Sequence, residues 1–252
     1  MIRSEISRVR ILEKHEPKFY SKPNVVIGLP EAGLVGTIAS SYLVEALSLE
    51  EIGYVDSGLE PPVMVVEKSE PKYPIRIFGR DDLVVFVSSI PLSSRLAIEF
   101  STSVVNWCLG RQSKLLIGVT GLPSAQRLEL QQEVPRVFYV ASERQLSRPI
   151  SSVVETFQEG LVVGTYASIL KTCMLSGQPN ITLLAESHLE FPDPGAAAAI
   201  IGVLKTLLSV DINVKPLLEE SEQIRLKMRE LMKRTQQSLQ GAVPQGPPGV
   251  YA

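Results

Sequence analysis

The chain has 252 residues and a formal charge of −2 at pH 7, with 25 basic against 27 acidic side chains. Because charges of both signs are interspersed, the sequence lacks the basic surface of a nucleic-acid-binding protein, and we expect no nucleic-acid partner. The longest apolar stretch, residues 196–210, contains Lys205 and is too short to span a bilayer. The polar N-terminus shows no signal-peptide pattern, so we expect a cytoplasmic protein that does not associate with membranes.

The first strong pattern is a strand, a glycine-rich turn and a helix within residues 25–46. Gly33 and Gly36 lie on either side of the predicted helix start. A Walker A loop is not matched, because Leu34-Val35 stands where Lys and Ser/Thr are required. A dinucleotide fingerprint is not matched either, because Leu29-Pro30 replaces the close Gly-x-Gly pair. The turn therefore predicts tight strand-to-helix packing instead of phosphate binding.

Further along the chain, closely spaced turns first indicate antiparallel hairpins, and strands then alternate with helices. The predicted strands cover residues 9–12, 51–58, 63–68, 75–78, 83–88, 114–119, 137–141, 160–164 and 181–185. The predicted helices cover residues 93–110, 166–175, a segment that starts at Asp193 or Pro194, and 217–239. This order predicts an α/β protein, a three-layer α/β/α sandwich around a mixed sheet.

We divide the chain into three parts. Residues 1–215 form the predicted α/β domain, and residues 216–240 form a C-terminal helix that packs on the domain or at an oligomer contact. The apolar stripe of this helix includes Leu217, Ile224, Met228 and Leu231, and docking on its own domain is the favoured arrangement. Residues 241–252 are rich in Pro and Gly and have little to bury, which predicts a flexible tail.

The last three residues of the tail are Val250-Tyr251-Ala252. An apolar side chain, a phenol and a terminal carboxylate together fit a pocket that offers an apolar floor, a hydrogen-bond partner and a lysine. This combination predicts a peptide that docks on a partner protein by capture of its C-terminus.

The tripeptide resembles the hydrophobic-Tyr-any (HbYX) motif with which proteasome activators and assembly factors engage the α-ring of the core particle. The body agrees with this resemblance over about residues 25–210. Three segments of the body, taken in their order, resemble the proteasome assembly chaperone family as found in archaea. These segments are Val26-Ile27-Gly28-Leu29-Pro30 with Gly33-Leu34-Val35-Gly36, then Gly160-Leu161-Val162-Val163-Gly164, and finally Phe191-Pro192-Asp193-Pro194 before an alanine run.

The resemblance implies a fold similar to that of nucleoside phosphorylases and an ATP-independent homo-oligomer, expected to be a tetramer or pentamer, with no cofactor. It also implies that the tails dock into pockets between α-subunits of the proteasome core particle. Only three positions carry over as partner-binding residues: Val250 as the apolar plug, Tyr251 as the orienting phenol, and Ala252 through its carboxylate. The choice between assembly factor and gate-opening activator stays open.

The main alternative is a small-molecule enzyme with a phosphorylase-like fold. If the chain stays extended after the strand that ends at Ala185, Glu186, His188 and Glu190 share one face, close enough for acid-base chemistry or a weak metal site. Asp193 could join them, and the first glycine turn could add Glu31 and Gly33 to this candidate pocket. We favour turn and capping roles here, and predict no catalytic residue and no bound metal.

A third interpretation treats the protein as a structural oligomer whose tail has no role. Deleting residues 250–252 would then change nothing. An enzyme would instead need Glu186 or His188 for turnover, whereas a proteasome-binding protein would not need them for binding.

Overall fold

The computed structural model of the chain describes residues 8–14, 22–58, 63–124, 134–146 and 150–242. Its strands are β1 Val9–Glu13, β2 Asn24–Gly28, β3 Glu50–Ser57, β4 Val65–Glu67, β5 Glu70–Lys72, β6 Ile75–Arg80, β7 Leu83–Ser88, β8 Leu115–Pro123, β9 Val137–Ala141, β10 Glu155–Thr156 and β11 Asn180–Ser187. Its α-helices are α1 Val35–Ala46, α2 Ser94–Gly110, α3 Gly164–Ser176, α4 Pro194–Leu208, α5 Lys215–Glu219 and α6 Ser221–Ala242.

The strands form one mixed, nine-stranded sheet in the order β1-β3-β6-β7-β2-β8-β11-β9-β10, beside a separate β4-β5 hairpin. The centre is parallel, since β2 pairs in parallel with both β7 and β8, and β8 pairs in parallel with β11. Antiparallel strands extend the sheet through β6, β3 and β1 on one side and through β9 on the other. The predicted mixed sheet is confirmed.

Helices cover both faces of the sheet and give two apolar cores. The alternation of β2 shows why, because Val26 packs with α1 and α4 on one face while Val25 and Ile27 pack with α2 and α3 on the other. All three side chains are fully buried, as expected for a central parallel strand. The predicted three-layer α/β/α sandwich is therefore confirmed. In the described part of the chain, no helix is both long and apolar enough to cross a membrane.

The first glycine turn packs α1 tightly against the sheet. A Cβ atom added to Gly36 would fall inside contact distance of the Val119 carbonyl oxygen on β8, and one added to Gly28 would overlap the Ser40 side chain on α1. The helix therefore approaches the strands more closely than any larger residue permits at these positions. This arrangement agrees with the tight packing predicted for the turn.

The predicted strand at residues 160–164 is wrong. These residues lead into α3, which begins at Gly164. Gly160 and Gly164 have φ values of 145° and 70°, which interrupt an extended strand. The apolar side chains between them face outward, since Leu161 is 67% exposed and Val163 is 51% exposed. An apolar run was here mistaken for a buried strand.

The predicted single helix over residues 217–239 is divided into α5 and α6. Glu220 ends α5 with φ −91° and ψ 9°, and α6 continues to Ala242. Leu217 is buried, and the side chains of Ile224, Met228 and Leu231 pack against the apolar core to which α1 and α4 contribute. The apolar stripe thus lies against the body of the same chain.

Candidate functional site

The predicted pocket residues lie near the carboxyl ends of β2 and β11, but they do not form one cluster. Gly33, His188 and Asp193 come together, whereas Glu31 and Glu186 each have other partners. Among the described residues, no group of three or more His, Cys, Asp or Glu side chains could hold a metal ion.

Asp193 is fully buried and acts as the N-cap of α4. Its Oδ1 accepts a hydrogen bond from the Ala196 backbone N–H at 3.0 Å, and its Oδ2 accepts one from the His188 backbone N–H at 3.3 Å. The Asp193 backbone N–H donates to the Gly33 carbonyl oxygen at 2.8 Å, and the His188 Nε2 lies 3.9 Å from the Asp193 Oδ2. These contacts join two loops, in agreement with the capping role favoured from the sequence.

Glu186 points to a different neighbour. Its Oε1 lies 2.6 Å from Nη2 of Arg136, which also stacks its guanidinium over the Phe138 ring. Because β11 ends at Ser187, the extended geometry needed to align Glu190 with Glu186 does not continue. The structure therefore does not assemble the acid-base group considered for the enzyme alternative.

Glu31 has the chemically most unusual environment of the predicted residues. Its Oε1 accepts a hydrogen bond from the Thr165 backbone N–H at the start of α3 at 3.0 Å, and its Oε2 accepts one from the Thr120 hydroxyl on β8 at 3.3 Å. Burial raises the pKa of Glu31 from 4.5 to about 7, although the hydrogen bonds from Thr165 and Thr120 oppose the increase. A carboxyl group with this pKa changes charge near neutral pH.

Glu31 lies in a cleft of about 220 Å³. The loops after β2 and β7 form one side of the cleft, and the first turns of α2 and α3 form the other. Apolar side chains and hydroxyl groups line it, including Leu29, Leu92, Ile98, Ser94 and Ser168. This location, beyond the carboxyl ends of parallel strands, is where open α/β sheets bind ligands.

Sequence reasoning missed the groups that hold Glu31 in place. Thr165 lies between the predicted strand at residues 160–164 and the predicted helix at residues 166–175, and Thr120 directly follows the predicted strand at residues 114–119, so no local pattern links either of them to Glu31. Tyr166 was also missed, although its hydroxyl accepts a hydrogen bond from the Leu29 N–H at 2.9 Å and donates one to the Ile27 carbonyl at 3.2 Å. The available signal was the pair of hydroxyl-bearing residues Thr165-Tyr166, which marks the site once α3 is known to start at Gly164.

The predicted partner-binding residues Val250, Tyr251 and Ala252 lie outside the described residues, which end at residue 242. The helix that precedes them is described. α6 is held to the body by the buried Met232 and by a hydrogen bond of 3.0 Å from Gln236 Nε2 to the Glu190 carbonyl.

A nine-stranded mixed sheet between two helical layers, with a small cleft at the strand ends and a packed C-terminal helix, defines the class as a three-layer α/β sandwich. Residues 25–232 match the PAC2 family, and the chain belongs to this family. Over 226 residues the chain is 27% identical to an uncharacterized protein of Methanocaldococcus jannaschii. This match covers 90% of this chain and 92% of the relative.

Two solved structures share the fold. The first is Pyrococcus furiosus PbaA, described as an archaeal homolog of proteasome-assembly chaperone, with 25% identity, a TM-score of 0.83, and coverage of 92% of this chain and 99% of that one. The second is Pyrococcus furiosus PbaB, described as an archaeal proteasome activator, with 21% identity, a TM-score of 0.75, and coverage of 90% and 99%. The overall fold of this chain is thus that of known PAC2-like proteins.

Proposed function

We propose that this protein is an ATP-independent assembly chaperone or activator of the proteasome, which docks its C-terminal tails into pockets between α-subunits of the core particle. The observation that carries the proposal is the terminal Val250-Tyr251-Ala252 on a Pro- and Gly-rich segment. Similarity to a proteasome-assembly chaperone homolog and to a proteasome activator supports it. Such a protein acts in the cytoplasm by binding, without a catalytic group or a cofactor.

The anchoring of α6 supports this role. Met232 and Gln236 fix the helix to the body, so the tail starts from a defined position beside the domain. Residues 243–249 lie between the helix and the tripeptide, and seven extended residues span at most about 23 to 25 Å. A tail of this length separates the body from the docking peptide while keeping the two at a limited distance.

Assembly into a homo-oligomer, which we include in the proposal, increases the apparent affinity. Once one tail is docked, the remaining tails of the same oligomer are held near neighbouring pockets at a high effective concentration. Avidity gains from such linkage reach about 10²- to 10⁴-fold when the geometry allows simultaneous docking. Several weak tripeptide contacts then give stable binding.

The test is a calorimetric titration of purified archaeal core particle with the full-length protein and with a chain that lacks residues 250–252. Tyr251→Ala removes the phenol alone, and Val243→Ala is the matched control in the same tail but outside the tripeptide. We expect the truncation to abolish binding, Tyr251→Ala to weaken it by at least about 30-fold, as for a typical interface hot spot, and Val243→Ala to bind as the full-length protein does.

Equal binding by the full-length and truncated proteins, or no binding by either, would contradict the proposal. Peptide hydrolysis by the core particle, measured with the same proteins, then distinguishes the two roles. An activator increases the hydrolysis rate, whereas an assembly chaperone leaves the rate of the mature particle unchanged and accelerates the association of free α-subunits.

A further inference from the structure

We propose that the cleft beside Glu31 is a binding site for a small organic cation, namely a primary ammonium group on a compact apolar body. The site is built from residues of the α/β body and does not depend on proteasome binding. Its position at the carboxyl ends of β2 and β7, against the first turns of α2 and α3, is typical of ligand sites in α/β sheets.

The size of the cleft restricts the ligand. Its volume of about 220 Å³ lies below the roughly 300 to 1,000 Å³ of pockets for drug-sized molecules. At about 30 Å³ per water molecule, it corresponds to roughly seven waters. A ligand of about five to eight non-hydrogen atoms therefore fits.

The composition of the lining selects the charge of the ligand. Among the described residues that line the cleft, Glu31 is the only one with an ionisable side chain. Leu29, Leu92, Ala97 and Ile98 supply the apolar surface, while hydroxyl groups supply neutral polar contacts. An anion would meet a carboxylate without a compensating Lys or Arg in this lining, whereas an ammonium group finds an acceptor at Glu31 and apolar surface for its alkyl chain.

The Glu31 carboxylate has acceptor capacity for such a ligand. An ionised carboxylate offers about four acceptor positions. The Thr165 N–H and the Thr120 hydroxyl use one on each oxygen, and the Thr165 hydroxyl is a third donor to the carboxylate, which leaves one position for a ligand. The –NH₃⁺ group carries three donors, of which one can use the remaining position on Glu31 and another the hydroxyl of Ser168 or Ser94 in the cleft lining.

The carboxylate is also held in a fixed position. Gly164 has φ 70°, and a Cβ atom at this residue would lie 2.9 Å from the Glu31 Oε1. The bare backbone of Gly164 thus gives the carboxylate room beside the first turn of α3. Rigid elements on three sides, namely β2, β8 and α3, preorganise the group, which is what a specific site requires.

The pH dependence of binding follows from the groups that face Glu31. Tyr166 on α3 stays neutral, because burial and then the nearby Glu31 charge raise its pKa well above 10.0. Thr120 on β8 and the α2 residues Ser94 and Ile98 do not titrate. With a Glu31 pKa of about 7, the ionised fraction rises about tenfold between pH 6 and 8.5. An alkylamine keeps its charge over this range, as Lys does with a pKa of about 10.4.

The experiment is an NMR or calorimetric titration of the full chain, without proteasome, with n-butylamine at pH 6 and pH 8.5. The neutral 1-butanol and the anionic butyrate are the matched ligands. We expect weak binding of butylamine, with a Kd in about the millimolar range for a ligand of this size, and about tenfold tighter binding at pH 8.5. We expect 1-butanol to bind equally at both pH values, and butyrate to bind least.

Glu31→Gln should remove both the preference for the amine and its pH dependence, while Glu190→Gln, at an exposed carboxylate, should keep both. Equal affinities for butylamine and 1-butanol in the wild-type protein at pH 8.5 would overturn the proposal, and so would an amine affinity that does not change with pH. This comparison within the wild-type protein decides the question even if Glu31→Gln does not fold. Because no proteasome is present, a negative result here leaves the docking proposal standing.

Discussion

Replacing Glu31 by Gln should change how the stability of the protein depends on pH. Burial raises the pKa of Glu31 from 4.5 to about 7, so the folded protein keeps a proton that the unfolded chain releases between these values. The free energy of unfolding therefore falls as the pH rises through this window. At about 1.36 kcal/mol per pK unit, the difference between the two pKa values corresponds to about 3 kcal/mol. This contribution to the free energy of unfolding is fully present below pH 4.5 and is lost above pH 7.

The Gln side chain stays neutral throughout, so the variant does not lose this contribution. Its free energy of unfolding relative to that of the wild-type protein should therefore be about 3 kcal/mol higher at pH 8 than at pH 4.5. Urea unfolding at fixed protein concentration measures this gain as a relative shift of the midpoint of about 1 M. Glu190→Gln, which also removes one carboxylate but from an exposed position, controls for the change in net charge. Parallel pH profiles of the wild-type protein and Glu31→Gln would refute the reasoning.

Three further substitutions, two of them with a matched control variant, test the packing near the strand ends, each by urea unfolding at neutral pH. Gly36→Ala should destabilise the fold by about 1 to 3 kcal/mol because the new methyl group meets the Val119 carbonyl. The control Gly202→Ala, where the new methyl group has open space, should stabilise α4 by about 0.5 to 1 kcal/mol. Equal effects of the two substitutions would exclude the steric explanation. Tyr166→Phe leaves a buried backbone N–H without its acceptor and should cost about 1 to 3 kcal/mol, so an unchanged midpoint would count against this hydrogen bond. Asp193→Ala removes the α4 cap and should cost about 1 to 2 kcal/mol, most of which Asp193→Asn should restore if capping is its role.

Local signals in the sequence located several helix starts correctly. The predicted helix over residues 93–110 begins with Ser93 and Ser94, either of which can cap it, and the structure shows that the Ser93 hydroxyl accepts a hydrogen bond from the Leu96 N–H at 3.3 Å. The helix α4 was predicted to start at Asp193 or Pro194, and it begins at Pro194 with Asp193 as its N-cap. Capping signals can be read from sequence because the two partners are only three residues apart. The break at Glu220 was missed, because the apolar stripe continues on both sides of it.

The candidate site depended on contacts that no local pattern contains. The sequence placed Glu31 at a strand end, but Thr120 and Thr165 lie 89 and 134 positions away in the chain. Their convergence on Glu31 follows from the order of the strands in the sheet, and so does the burial that raises the pKa of this carboxyl group against the opposing effect of their hydrogen bonds. The proteasome-binding role of Val250, Tyr251 and Ala252 is a different case, because it was inferred from residue identity at the chain end and stays a prediction.

The position of β2 between β7 and β8 also has a consequence during synthesis. Roughly 90 residues separate the end of β2 at Gly28 from the start of β8 at Leu115, which a ribosome adds in about 5 to 20 s. During this interval the strand has all-apolar residues from Val25 to Ile27 but no partner on its β8 side. Unpaired apolar edges recruit other chains. Nascent or truncated chains that stop before β8 should therefore associate with one another, whereas chains that extend past β11 complete the parallel centre of the sheet.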